Sequence, residues 1–382
     1  MNPDVSVVVP ALNEEKTIGA CIERIKEGCT SAGLSYEIII ADSSTDRTPI
    51  IASEMGARVI HPEKRGYGNA YLAGFSYATG RILVIGDADN TYDFRIIPEM
   101  IRPIQQGEAD MVIGSRMSGV ILPGAMPALH QYLGNPLLTL LLNLAFKTHF
   151  SDCHSGFRAI SREALSRLSL HTGGMEFASE MMIEAGKMNL RVTEIPITYY
   201  PRQSPSNLHS FADGWRHFRF IMLEKPLPFL AIPGGLFAVF GLFMMGFVLL
   251  NAHGGGSGFH SFILGVVFLT GGMQLAMMGI TLKAFAVTNG FDVCGRWFRP
   301  MLRYRTLEYL LFGGGLLMIL GFINGISILS DWIQRSFGEL SQVLNALITL
   351  CSIILGLQMV FTAILVSMML LKCDREGCDV FP

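Results

Sequence analysis

Hydrophobic positions follow two regimes along the chain. In the first, short apolar runs are separated by polar punctuation. Val5–Pro10 is a continuous, β-branched run, and Tyr36–Ala41, Arg58–His61, Arg81–Gly86 and Met111–Gly114 read as further short strands. Helical stretches at Glu15–Glu27, Ala70–Ala78 and Arg95–Gln106 lie between them, and Thr48 is placed to cap a helix whose first position is Pro49. Strands alternating with helices predict an α/β domain with a mainly parallel, doubly wound sheet. In the second regime the apolar runs lengthen. Phe229–Leu250, Phe262–Ala286, Tyr309–Leu329 and Leu344–Leu371 are each long enough to cross a hydrocarbon core, which takes about 20 residues. All four are rich in Gly, Ala or Ser, which lets helices approach closely in lipid. The expected organisation is an α/β domain over residues 1–225 and an all-α membrane domain of four transmembrane helices over residues 226–382.

Two apolar stretches fit neither regime. Leu137–Phe146 is almost wholly apolar but too short to span, so it reads either as an interfacial helix dipping into one leaflet or as a buried core helix. Phe211–Leu223 interleaves Trp215, Phe218 and Met222 with Arg216 and Arg219, the pattern of an amphipathic helix lying on a membrane.

Charge sharpens the division. Residues 1–225 hold 21 Lys+Arg and 24 Asp+Glu, whereas residues 226–382 hold 8 and 7, so the charge density halves near Lys225. The net charge of -2 excludes the basic balance of a general nucleic-acid binder. In the second half, Arg296, Arg299, Arg303 and Arg305 share one loop, Lys372 and Arg375 lie in the tail, and Arg335 stands alone in the last loop. An excess of positive charge on the cytoplasmic side puts the N-terminal domain and the C-terminus in the cytoplasm. Lys283, near the cytoplasmic end of the second span, is expected to snorkel to the interface or to meet an anionic lipid head. The seven cysteines form no C-x-x-C pair, and Cys373 and Cys378 are spaced too loosely for a redox or zinc motif, so they read as reduced thiols. Val5–Val9 is too short for a signal-peptide core.

Ligands of doubly wound sheets bind at the carboxyl ends of the strands, and polar clusters stand there: Asn13-Glu14-Glu15, Asp42-Ser43-Ser44-Thr45-Asp46 and Asp87-Ala88-Asp89. Two carboxylates one residue apart at a strand end suit a hard divalent cation such as Mg²⁺, which binds through one or two carboxylates plus substrate phosphates. Asp87 and Asp89 are therefore the candidate metal ligands. Gly66-Tyr67-Gly68 lacks the third glycine of a dinucleotide fingerprint, because Tyr71 takes its place. It is either a turn presenting Lys64 and Arg65 to a nucleotide or a plain surface turn.

Taken in order, Val8–Glu14, Ala41–Asp46, Asp87–Asp89, Gly114–Arg116 and Asp152–Arg158 resemble the motifs of inverting family-2 glycosyltransferases of the GT-A fold, and more narrowly those of polyprenyl-phosphate glycosyltransferases such as dolichyl-phosphate mannose or glucose synthases. The resemblance covers about residues 4–225. It implies transfer of a sugar from a nucleotide sugar, UDP-glucose-like or GDP-mannose, to a polyprenyl phosphate at a membrane. It implies that Pro10, Leu12, Glu14 and Asp42 line the base and ribose, that Asp87 and Asp89 hold the diphosphate through Mg²⁺ or Mn²⁺, and that Arg116, His130 and Arg202 meet the acceptor phosphate. Asp152 would be a catalytic base, or would shape the site and orient Arg158 or the acceptor. The chain departs from the pattern at Ala41, where an Asp is usual, at Thr91, where many mannosyl-type members place a Gln, at His130 in place of a second phosphate-binding Arg, and at Ser206-Asn207 in place of Ser-Lys. The Thr91 departure tilts the expected donor towards a UDP-sugar.

Two other functions fit less of the sequence. A processive polysaccharide synthase would carry Gln-x-x-Arg-Trp, and Val293–Trp297 lacks the Gln. A non-enzymatic lipid-sugar flippase component would leave the intact Asp87 and Asp89 unexplained, and no span contains an acidic residue for coupled transport. Self-association into a homo-oligomer is left open.

Overall fold

The computed structural model describes residues 2–203, 210–251, 258–289, 292, 294–296, 298–338 and 342–376, except for the side chains of 210, 211 and 372–376. The chain divides into two compact units, Met1–Ile221 and Met222–Pro382.

The first unit is a mixed sheet covered by helices. In chain order its elements are β1 (Val5–Ala11), α1 (Ile18–Ser31), β2 (Tyr36–Asp42), α2 (Thr48–Glu54), β3 (Arg58–Ile60), α3 (Tyr67–Tyr77), β4 (Ile82–Ile85), α4 (Ile97–Gln105), β5 (Met111–Ile121), α5 (Asn135–Phe146), β6 (Arg158–Ser161), α6 (Arg162–Ser166), α7 (Phe177–Lys187) and β7 (Val192–Tyr199). The seven strands run in the order β3-β2-β1-β4-β6-β5-β7, and β6 is antiparallel to both its neighbours while the other pairings are parallel. The expected mainly parallel sheet is observed. Its continuous apolar strands follow from burial on both faces: Val5, Val7, Val8 and Val9 are all fully buried. Phe157 anchors the core between Tyr92 and Phe94, with ring centroids 5.5 and 5.2 Å away.

Three local expectations change. Thr48 is the first helical residue of α2 rather than its cap. Its amide and hydroxyl both donate to Asp46 Oδ1, at 3.0 and 2.5 Å, so Asp46 is the capping side chain. β5 runs seven residues past Gly114, to Ile121, where the apolar run has ended and pairing with β7 alone maintains it. A register shift between Ser115 and Val120 interrupts that pairing. A bulge of this kind re-aims the side chains it carries, here Arg116 and Met117. The Leu137–Phe146 stretch is not a core helix: along α5 only Thr139 and Leu142 are buried, and Leu137, Leu140 and Leu144 are exposed.

The amphipathic stretch forms α8 (Ser210–Glu224), which buries His217 and Ile221 and exposes Trp215 and Leu223. The second unit then contributes α9 (Ile232–Leu250), α10 (Phe259–Thr288), α11 (Tyr304–Gln334) and α12 (Val343–Glu376). Four stretches, Leu227–Asn251, Phe259–Thr288, Tyr304–Gln334 and Val343–Leu371, are long and apolar enough to cross a membrane. α9 packs on α10, α11 on α12, and α10 on α12. Glycines set the spacing: a Cβ added at Gly241 would lie 2.5 Å from the Gly265 carbonyl, and one at Gly356 2.5 Å from the Gly314 carbonyl. This is the small-residue packing by which helices associate in lipid. Lys283 neither snorkels nor is left to a lipid. It is 6% exposed and pairs with Asp292, which also binds Lys225 at 2.8 Å.

Candidate active site

The loops after β1, β2 and β4 meet at the carboxyl end of the sheet because their strands are neighbours, with Ala11 beside Asp42 and Val8 beside Ile85. The first two loops are clasped together. The Asn13 amide donates to Ser44 Oγ at 2.7 Å, its side-chain carbonyl accepts from the Thr45 amide at 2.9 Å, and the Glu14 amide donates to Thr48 Oγ1 at 2.9 Å. Asn13 adopts a positive φ of 58° to do this, a conformation that Asn tolerates better than most residues. Much of the Asn-Glu-Glu and Ser-Ser-Thr-Asp punctuation is therefore scaffold.

The clasp presents Glu14 and Asp42, 5% and 1% exposed. Asp42 Oδ2 accepts from the Ser44 amide at 3.2 Å, while Asp42 Oδ1 is buried without a partner among the described residues. A buried acceptor left unfilled is costly, and a donor group on a bound molecule would satisfy it. Pro10 and Leu12, both half-buried, flank this position.

Asp87 and Asp89 follow β4. Asp89 Oδ1 accepts from the amide and hydroxyl of Thr91 at 3.1 and 2.6 Å, so the residue that departs from the mannosyl pattern fixes this carboxylate. Asp87 Oδ1 accepts from the Tyr67 hydroxyl at 2.9 Å. Burial and then the Asp89 carboxylate push Asp87 well above the usual carboxylate range. Arg202 approaches from beyond β7. Its Nη2 donates to Glu14 Oε1 at 2.7 Å, and its Nε lies 3.3 Å from Asp89 Oδ2. Arg202 thus reaches Glu14 and Asp89. Ser206 and Asn207, downstream of it, lie outside the described residues.

The crowded, oxygen-only pair of Asp87 and Asp89 fits a hard divalent cation, which would relieve the strain on Asp87. Among the described residues no three His, Cys, Asp or Glu side chains gather into a metal cluster. Two carboxylates would hold such an ion only together with ligand or water oxygens, as Mg²⁺ is commonly held.

Arg116 and Asp152 form a second centre. The Arg116 guanidinium meets Asp152 through two parallel bonds of 2.7 and 2.8 Å, and the Arg116 amide adds a third at 3.1 Å. Asp152 is fully buried and Arg116 is 7% exposed. Burial alone would raise the Asp152 carboxyl, but the Arg116 charge and hydrogen bonds outweigh it and hold the group below its ordinary range. The two sequence motifs interlock around this pair. Ser115 Oγ and Ser151 Oγ are 2.6 Å apart, and Ser155 Oγ donates to the Gly114 carbonyl at 2.6 Å. The expectation that Asp152 orients Arg158 is corrected: its partner is Arg116. Arg158 instead donates to the Ser155 and Cys153 carbonyls, both at 2.9 Å, and so ties the loop to itself.

Arg116 opens onto a cleft of about 250 Å³ that is also lined by Met117, Gly119, Ile121, Gln131 and Tyr132. A single turn, His130–Gly134, supplies Gln131 and Tyr132 to its wall. His130, expected at the acceptor, is the residue before them and is not in the lining. Beside the cleft Val120, Leu129, Tyr132 and Leu133 are exposed by 57–76%.

Residues 6–169 match the family described as glycosyl transferase family 2, and residues 280–370 match the glycosyltransferase family 2 C-terminal transmembrane region. A protein of Haloferax volcanii named low-salt glycan biosynthesis hexosyltransferase Agl6 is 40% identical over 367 residues, 95% of this chain and 88% of that one. The chain belongs to glycosyltransferase family 2. This family-2 enzyme is a multi-pass membrane protein. It is also 34% identical over 216 residues to a Haloferax volcanii protein named dolichyl-phosphate hexose transferase, covering 55% of this chain and 89% of the relative. Among solved structures, glucosyl-3-phosphoglycerate synthase from Mycobacterium tuberculosis aligns with a TM-score of 0.48 and 25% identity, over 58% of this chain and 79% of that one.

Several residues around these carboxylates and the Arg116 cleft escape sequence reading. Tyr67 was visible only as the middle of a Gly-rich turn. In the structure its neighbours Gly68 and Asn69 donate to the Gly174 and Gly173 carbonyls, both at 3.2 Å, so the turn packs on backbone, while Lys64 and Arg65 stay exposed. Tyr92 accepts from the Gly156 amide at 2.9 Å, and the Arg116 guanidinium stacks 5.2 Å from the Tyr199 ring centroid.

Proposed function

We propose that this enzyme moves a hexose from a nucleotide sugar to the phosphate of a polyprenyl lipid, with inversion at the sugar C1. The observation that carries this reading is the Arg116 cleft: a buried, pre-oriented guanidinium opens beside an exposed apolar rim. A phosphate suits the first and a polyprenyl chain the second. The name of the 34%-identical dolichyl-phosphate hexose transferase agrees with this reading.

The reaction is one in-line displacement. An acceptor phosphate oxygen forms the new bond to C1 as the bond from C1 to the nucleoside diphosphate breaks. A phosphomonoester has a second pKa of about 6 and is mostly dianionic at neutral pH, so the step needs positioning and charge control more than a base. Asp152, held low by Arg116 and using both oxygens on it, is a poor base. It positions Arg116, which grips the acceptor. Asp42 offers its unfilled oxygen to the base or ribose, with Pro10, Leu12 and Glu14 around it. Asp87 and Asp89 would hold Mg²⁺ or Mn²⁺, which when bound neutralises charge developing on the departing diphosphate. Arg202 moves from Glu14 and Asp89 to phosphate when the site fills. The excess of Lys and Arg at one end of the membrane unit supports a cytoplasmic placement of residues 1–225 and of the C-terminus. Thr91 supports UDP-glucose over GDP-mannose.

The test is to incubate the full chain in membranes with UDP-glucose, UDP-GlcNAc and GDP-mannose in turn, with polyprenyl phosphate and Mg²⁺, and to identify the lipid product by mass. A polyprenyl phosphohexose is expected; polymer, or no lipid product from any donor, would overturn the reading. Arg116→Lys, which keeps the charge but loses the fork, should raise the acceptor KM and leave the donor KM unchanged.

A further inference from the structure

The end of the membrane unit where α10 leaves and α11 begins carries most of its positive charge. Of the eight Lys and Arg after Lys225, seven lie at this end and only Arg335 at the other. Lys283 is neutralised on Asp292, and Arg305 donates to the Tyr309 hydroxyl at 2.9 Å.

Arg299 differs: its Nε is buried without a hydrogen-bond partner among the described residues, a situation costing about 1–3 kcal/mol. With Leu302, Arg303 and Tyr304 it lines a cleft of about 370 Å³. The cleft sits at the start of α11, a helix of 31 residues whose N-cap residue is Arg303 and which no side chain caps. The positive end of a helix dipole favours anions and disfavours cations. Two arginines gathered there oppose the helix unless an anion joins them. The cleft is also partly apolar: Leu302 is fully buried, while Met301 and Tyr304 beside it are each 43% exposed.

We propose that this cleft binds the phosphodiester headgroup of an anionic glycerophospholipid. The phosphate accepts from Arg299 Nε and sits over the start of α11 beside Arg303, while the attached chain lies against Met301 and Tyr304. A free anion would gain nothing from the apolar part, and basic pockets at the ends of membrane helices commonly hold such headgroups. The site is separate from the acceptor cleft at Arg116 and does not depend on the transferase reading.

The full chain is purified into nanodiscs of phosphatidylcholine alone and of phosphatidylcholine with phosphatidylglycerol, and lipid retention is read by native mass spectrometry after extraction. Phosphatidylglycerol should be retained preferentially by the wild type. The R299Q/R303Q variant should lose that preference by on the order of ten-fold, about 1 kcal/mol for each arginine, while R335Q at the opposite end keeps it. Equal unfolding temperatures of all three in phosphatidylcholine show that the fold is intact. Equal retention by wild type and R299Q/R303Q, equal loss in R335Q, or displacement of the lipid by millimolar inorganic phosphate would each overturn the proposal.

Discussion

The carboxylates proposed to hold the donor and the ion pair proposed to meet the acceptor belong to one unit, and their charges are balanced in opposite ways. Around Arg116 and Asp152 the charges cancel, and the Asp152 carboxylate accepts three hydrogen bonds from Arg116 alone. Around Glu14, Asp42, Asp87 and Asp89 there are four carboxylates, one buried oxygen without a partner among the described residues, and Arg202 as a counter-charge to Glu14 and Asp89. The proposed acceptor side pairs its charges within the protein; the proposed donor side would be finished by what binds to it. A site of the first kind gives geometry, and one of the second kind gives dependence on a cation and a nucleotide.

The comparison breaks most visibly at Asp89. Asp89→Asn should lower transfer by about a thousand-fold or more, since a metal contributes several kcal/mol of charge stabilisation. Activity in a radiolabelled transfer assay within ten-fold of wild type would show that the donor side does not work through this pair.

Asp152→Asn tests the completed side, and its effect is on stability. Leaving Arg116 buried and unpaired costs about 3 kcal/mol, or a Tm drop on the order of 10 °C for the full chain in detergent. The pH dependence has a definite sign. The folded carboxyl is depressed, so its contribution is full above the unfolded value of about 3.9 and is lost as pH falls through the folded one. The Tm gap between wild type and variant should therefore be widest at neutral pH and close on acidification below about pH 4. A gap that does not change with pH would contradict the ion-pair account.

The smallest effect is expected at Tyr67→Phe, which removes one hydrogen bond from Asp87. The Mg²⁺ concentration giving half-maximal rate should rise by about ten-fold at most, with the acceptor KM unmoved. A change confined to the acceptor KM would mean that the two sides are not independent.

What could be read from the residues follows the same divide. Glu14, Asp42, Asp87 and Asp89 were legible because each lies at or just past the end of a parallel strand, and such ends are marked by an abrupt change from apolar to acidic. The four spans were legible from length alone. β6 was not: it is four residues long and includes Arg158, 1% exposed, whose charge is absorbed by carbonyls of its own loop. Tyr67 and Arg202 were also beyond local pattern, because their partners lie 20 and 188 residues away. Gln131 and Tyr132 join the Arg116 cleft from a separate turn after β5, and such a turn has no hydrophobic period of its own. The assignment of Asp152 to Arg158 failed for a related reason: the two share a motif, yet the strand pairing hands Asp152 to Arg116.

The clasp between the loops after β1 and β2 has a consequence for how this enzyme changes over evolutionary time. Asn13, Ser44, Thr45 and Thr48 join the two loops into one mechanical body, with Glu14 on one side and Asp42 on the other. A substitution that shifts one loop shifts the other with it. Under the proposed nucleotide site, specificity for different parts of the nucleotide is inherited as a block, and a lineage that exchanges one nucleotide for another must remodel both loops together.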